Sequence, residues 1–270
     1  TLCNRPRETL AAYGQFDSQP WGSHQMGASW TELICRSWHM LGEHRKELAE
    51  ASRAEMDFPD RLALARVRVI ALAALGRSAE LDEVVERSRT AAVSGTSAGD
   101  LMLEAAMELR AHGHREESLR YAREAVAWYR ERRAAAPGQS DARSSLLDAL
   151  RWSEQWDEAA ALCREILQQT PDDAAALGIL GAVAVRRGDG EEARRCAATL
   201  AGLAGPYLFG SATYRQACLA ALQGDKPAAV ELLRRAFGEG ISYGLRHHRE
   251  IDLEPLWDYP PFVELLKPQG

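Results

Sequence analysis

Among the residue types in this chain, its seven histidines are the ones best suited to hold a metal or to move a proton near neutral pH. His39 and His44 lie five apart, His112 and His114 flank Gly113, and His247 and His248 are adjacent near the end. A metal site needs ligands that converge, usually with a carboxylate, and a zinc-binding helix face places its histidines four apart. These spacings read as structural, and no metal is expected. The carboxylate pairs Glu116/Glu117, Asp172/Asp173 and Glu191/Glu192 could do acid–base work. Neighbours on a helix point apart, however, and each pair falls where a helix should start, complementing its positive end. Cys35, Cys163, Cys196 and Cys218 have no histidine matched to them locally and read as small apolar packing. HExxH, GxSxG, GxxxxGKS/T and GxGxxG are all absent, so the common hydrolase, phosphate-loop and dinucleotide routes lack support. The reading is of a chain with no catalytic residue and no cofactor.

The whole composition agrees. Of 270 residues, 46% are apolar and 27% charged, which excludes disorder of the entire chain. A net charge of −6 argues against nucleic acid as a partner, and no apolar run approaches the roughly 18–20 residues that cross a bilayer. Five cysteines, an odd number without a CxxC pair, fit a reducing, cytoplasmic setting better than a disulfide framework. Arginine outnumbers lysine thirty to three, read first as genomic base composition. The chain opens at Thr1 with no charged-then-apolar leader and reads as a piece of something longer.

Any such residues must be positioned by elements that repeat. Six segments in which an apolar helix should end and an acidic one begin have their anchors at Gly42, Gly76, Gly113, Glu154, Gly188 and Gly224. The spacings are 34, 37, 41, 34 and 36 residues. Glycine suits a helix end because it adopts left-handed backbone without steric cost. Acidic residues follow each anchor, and Pro59 and Pro171 fall 17 residues after two of them, closing the second helix. Each unit is a helix–turn–helix.

This pattern resembles the tetratricopeptide repeat family, in which positions eight, twenty and twenty-seven are small and position eleven is large. The eighth positions are Cys35, Val69, Ala106, Leu147, Gly181 and Ala217. The twentieth are Glu47, Leu81, Ser118, Ala159, Ala193 and Ala229, and the twenty-seventh are Ala54, Ser88, Ala125, Ile166, Leu200 and Ala236. The eleventh include Trp38, Leu72, Leu109 and Leu150. Small residues let two antiparallel helices approach to about 8–10 Å, and units too small to be stable alone stack on one another. The resemblance implies an all-α fold, a right-handed superhelix (an α-solenoid) of about six repeats over residues 28–238.

The ends differ from the array. Residues 1–27 read as a helix at 5–14, the remnant of an upstream repeat, and a connection at 15–27. Breaks are expected at 94–99 and 136–140, and the stretch 114–135 between them reads as a long solvated helix laced with ion pairs. Residues 239–270 resemble the closing segment of bacterial tetratricopeptide proteins, a cap in which Leu253, Leu256, Trp257, Phe262, Leu265 and Leu266 cover the last pair. In the family such endings close longer chains headed by a kinase, a DNA-binding activator or a cyclase.

The resemblance further implies a concave groove lined by the first helices. Its ligand-contact positions here include Glu32, Arg36, His39, Arg66, Met107, Arg110, Asp148, Arg151 and Tyr214. Arg36, Arg66, Arg110 and Arg151 would form a basic stripe that receives an acidic or C-terminal peptide in two-point contacts. Trp152 is a candidate for the same face, whereas Trp38, Trp128 and Trp156 should pack between helices. The function implied is a protein- or peptide-binding scaffold, the interaction region of a larger bacterial signalling or transcription-regulating protein. Two alternatives stand beside it: an α/α-toroid enzyme with a central cavity, and a module that homodimerises its parent. A toroid needs long helices of equal length and brings the chain ends together, whereas an open array leaves them apart.

Overall fold

A computed structural model describes residues 4–17, 28–57, 62–89, 96–135, 140–203 and 208–269, and all regular structure among these residues is helical. Pro59 and most of the connection at 15–27 lie outside the described residues, as do residues 94–95 of the break at 94–99 and residues 136–139 of the break at 136–140. The chain divides into two compact units, Glu154–Lys267 and the remainder.

The first unit holds α1 (Pro6–Asp17) and then α2 (Ala28–Met40) with α3 (His44–Asp57). It continues through α4 (Leu62–Ala74), α5 (Ser78–Ser88), α6 (Ala98–Ala111), α7 (Arg115–Ala135) and α8 (Ser140–Trp152). The second holds α9 (Trp156–Gln169), α10 (Ala174–Arg187), α11 (Gly190–Gly202), α12 (Ser211–Leu222) and α13 (Lys226–Gly238). Two 3₁₀ turns, Leu245–His247 and Ile251–Leu256, and a short α14 (Pro260–Leu266) follow.

All six anchors take left-handed backbone, including the non-glycine Glu154 at φ 59°. At five of them the turn closes by the same bond, the N–H after the glycine donating to the carbonyl of the repeat's eleventh residue. These are Glu43 to Trp38, Arg77 to Leu72, His114 to Leu109, Asp189 to Ala184 and Asp225 to Ala220, at 2.8–3.0 Å. This is the Schellman arrangement, which satisfies carbonyls a helix end would leave open. Side chains then start the next helices. Asp189 and Asp225 accept from the backbone of Glu192 and Ala228, and Ser97 with Asp100 forms a capping box on α6. The helix therefore begins inside the break expected at 94–99.

Every residue at the eighth, twentieth and twenty-seventh positions is buried, from Cys35 to Ala236. In the third repeat the Ser118 hydroxyl donates to the Ala106 carbonyl at 2.6 Å, joining the twentieth position to the eighth across the crossing. The cap also forms. Leu253, Leu256, Phe262 and Leu266 share a cluster with Tyr214, Ala229 and Leu233, and Trp257 and Leu265 pack at its edge. Arg186 of α10 pins the cap by donating to the buried Asp252 at 2.7 Å and to the Ile251 carbonyl at 3.2 Å.

Three expectations need correction. Helix α1 runs on to Asp17 and so takes in the first residues of the expected connection. Helix α7 is long, with 21 residues, but one face is buried through Tyr121, Ala122, Ala125, Val126 and Tyr129, and ion pairs reach α5 as well as running along the helix. Finally, the chain ends meet within the first unit, where the Gln269 N–H donates to the Asn4 carbonyl at 2.8 Å. The other members of the pairs run 11–14 residues, short for a toroid's inner and outer shells.

Candidate functional site

Three successive first helices of the first unit, α2, α4 and α6, carry a polar row. Arg66 on α4 donates to Glu32 on α2 at 3.2 Å and to Glu104 on α6 at 3.1 Å. All three side chains are partly exposed, so water screens the pairs and each is worth about 1 kcal/mol or less. Arg66 is thus already engaged by two carboxylates. Arg36 and Met107 are half-buried on the same helices.

The remaining rungs of the expected stripe lie elsewhere. Arg110 and Arg151 are buried, and Arg151 donates to the exposed Asp148 at 3.2 Å. Neighbouring elements enclose these side chains near the helix ends, and the apolar stem of arginine tolerates that enclosure. Tyr214 is buried in the core of the second unit, and Trp152 is buried in the first. A continuous basic ladder is not formed.

His39 has a different setting. Helix α2 delivers it in the last turn, the Gly42 turn reverses the chain, and α3 opens with His44 and carries Glu47 one turn further in. From α6 come Glu108 and, at its C-cap, His112. Nδ1 of His39 lies 2.8 Å from Oε2 of Glu47, and Nε2 lies 3.0 Å from Oε1 of Glu108. His44 Nδ1 is 3.3 Å from the same Glu47 oxygen, and His112 Nε2 is 3.0 Å from the same Glu108 oxygen. Both glutamates are almost fully buried, at 1% and 2% exposure. Burial by itself disfavours the charged ring, but Glu108 and Glu47 on its two nitrogens outweigh that and raise His39 to about 10. At neutral pH it is an imidazolium donating from both sides. The same atoms make two sets of two histidines and one carboxylate, His39–His44–Glu47 and His39–Glu108–His112, each within 4.8 Å and sharing one ring.

Sequence spacing missed this cluster. The rule of four between histidines applies to one helix, whereas His39 and His44 stand on two, and the other pair arrives from some seventy residues away. One signal was available: Glu47 occupies a twentieth position, where the repeat packs a small side chain, so a carboxylate there had to be buried and met.

A second polar feature is a cleft of about 830 Å³ between α5 and α7, lined by Arg68, Arg87, Arg89, Arg120, Asp82 and Glu124 among others. Its charges answer one another. Arg120 and the Tyr121 hydroxyl both donate to Asp82, Arg89 donates to Glu124 at 2.7 Å, and Arg68 donates to Glu55. Burial works against it, but the bonds from Tyr121 and Arg120 hold Asp82 below its ordinary carboxylate range. Cys35, Cys163, Cys196 and Cys218 are free thiols and all buried, and burial pushes Cys35 and Cys196 upward, so neither is a ready nucleophile. No described helix is long and apolar enough to cross a membrane.

No curated protein matches the sequence. Residues 153–204 match the family described as the tetratricopeptide repeat. Among solved structures, a tetratricopeptide repeat protein from Parabacteroides merdae aligns over 97% of this chain and 90% of its own, with a TM-score of 0.50 at 11% identity. The human IFIT1 dimer with m7Gppp-AAAA aligns over 99% of this chain at a TM-score of 0.42 and 15% identity, and the chain spans 65% of that protein. Residues 153–204 thus match a tetratricopeptide repeat, and the left-handed anchors and buried small positions give the described residues the helix-pair fold of tetratricopeptide-repeat structures.

Proposed function

We propose that the chain is a protein- or peptide-binding scaffold and that its binding face lies on α2, α4 and α6. The observation that supports this most directly is the row Glu32–Arg66–Glu104, three partly exposed charges from three successive repeats held in alternating sign. Such a row is preorganised. A peptide that lays a carboxylate on Arg66 and a cation between Glu32 and Glu104 exchanges one set of ion pairs for another without ordering new side chains. The partner that fits is therefore an acidic segment that also carries a basic residue, a narrower class than the acidic peptide expected from an arginine stripe. Arg36, His39 and Met107 border the row. Asp148 is exposed on α8, while Arg110, Arg151 and Tyr214 serve packing in this reading.

Because the fold is built from repeats and a capping segment, the chain fits the role of an interaction region within a larger bacterial signalling or transcription-regulating protein of the cytoplasm. The division into an N-terminal remnant, an array over 28–238 and a cap over 239–270 belongs to the same proposal. Selection of a random displayed-peptide library on the immobilised chain tests it. Mixed-charge, acid-rich peptides should be enriched, and Arg66→Glu should abolish their capture while the far-ultraviolet circular dichroism stays helical. Equal enrichment on the wild type and on Arg66→Glu would remove the row from the binding face.

A further inference from the structure

We propose that His39, His44 and Glu47 bind one divalent transition-metal ion of the zinc class, held by His39 Nδ1, His44 Nδ1 and a Glu47 oxygen. Imidazole with carboxylate is the donor set that zinc and its neighbours prefer. Bonds of about 2.0–2.1 Å around a tetrahedral ion place adjacent donors roughly 3.3 Å apart. The Glu47 oxygen already lies 2.8 Å from the His39 nitrogen and 3.3 Å from the His44 nitrogen, and the three donors all fall within 4.8 Å of one another, so they need only close around the ion. The rings of His39 and His44 meet edge to face, 4.6 Å between centroids, which leaves their Nδ1 atoms turned to the common carboxylate.

The surroundings suit a metal. A ligating histidine usually donates its other ring N–H to a carboxylate, which sets the tautomer and the ring's direction. Glu108, buried and 3.0 Å from His39 Nε2, stands in that position. Of the two donor sets, the one on α2 and α3 is favoured because a single helix hairpin, closed by the Glu43-to-Trp38 bond, supplies all three ligands. His112, the outermost ring of the other set, has 31% of its side chain exposed, against 17% for His44. On binding, the metal replaces the proton between His39 Nδ1 and Glu47, and that proton leaves to solvent. Three protein ligands leave a fourth position for water, as in open zinc sites.

The test is titration of the chelator-treated full chain with Zn²⁺ by calorimetry, and with Co²⁺ by visible absorption, whose ligand-field bands report nitrogen–oxygen coordination. One equivalent should bind. His44→Gln, at a partly exposed ring, should abolish binding while the chain remains folded by circular dichroism. Glu108→Gln should weaken binding about ten- to a hundredfold, and His112→Gln should leave it within about twofold. Absence of saturable binding of either ion overturns the site. So does a site lost with His112→Gln but kept with His44→Gln, which would put the ion on the other face of His39.

Discussion

In the second unit, the crossings of α10 with α11 and α12 are made by Gly181, Ala193 and Ala217, so close that a Cβ at Gly181 would lie 3.0 Å from that of Cys196. In the first unit, the crossing of α2 with α3 holds Glu47, a carboxylate at 1% exposure in a position the repeat reserves for small residues. The histidines divide the same way. His39 is a partly buried cation between two buried glutamates, whereas His247 is fully buried, donates through Nε2 to the Ser242 carbonyl at 2.8 Å, and packs against Tyr214 and Phe237. Burial lowers His247 to about 4, so it is neutral where His39 is charged. One repeat architecture thus tolerates a buried charge, provided that a partner from another helix arrives to meet it.

The most severe way to break the comparison is His39→Ala. It leaves Glu47 and Glu108 buried without the ring that joins them, and the expected cost is about 3–5 kcal/mol. The midpoint of urea unfolding should fall sharply; a loss within about 1 kcal/mol would mean that the glutamates do not depend on His39.

Next comes pH, where the units should fail on opposite sides. The folded-state value of His247 lies below its unfolded value near 6.5, so its stability is present above pH 6.5 and lost as pH falls toward 4. That amounts to ~3 kcal/mol at the acid end. The value of His39 is raised, so its contribution is complete below pH 6.5 and is lost as pH rises toward 10. Hydrogen exchange should show α12 and the cap opening first near pH 4.5, and α3 and α6 opening first near pH 9. Nitrogen-15 spectra at pH 7 should find both nitrogens of His39 protonated and only Nε2 of His247. A His247 ring found fully protonated at pH 6 would erase the contrast.

Smallest of the three is Gly178→Ala. The new Cβ would lie 2.6–2.7 Å from Cγ and Cβ of Arg215, forcing α10 and α12 apart at about 1–3 kcal/mol. A neutral result would show that the close packing of the second unit has slack.

Much of the fold was legible in the sequence because its causes are local. A left-handed turn needs glycine or a tolerated substitute within one residue of a known place, and all six anchors are left-handed, even Glu154. The apolar face of the cap was legible for the same reason, since Leu253, Leu256 and Phe262 announce themselves by type. The groove residues were not, because repeat position says which helix carries a side chain but not what meets it. Arg66 looked like a free rung until Glu32 and Glu104 came within 3.2 Å from neighbouring repeats.

By itself, the sequence determined the helical period, the places where helices stop and the small positions at which they cross, each fixed by backbone sterics and side-chain volume. Only the tertiary structure decided which charges are satisfied and which histidines share a carboxylate. Those outcomes depend on side chains from α2, α3 and α6 meeting within hydrogen-bonding distance, and contact between residues some seventy positions apart leaves no local trace in either.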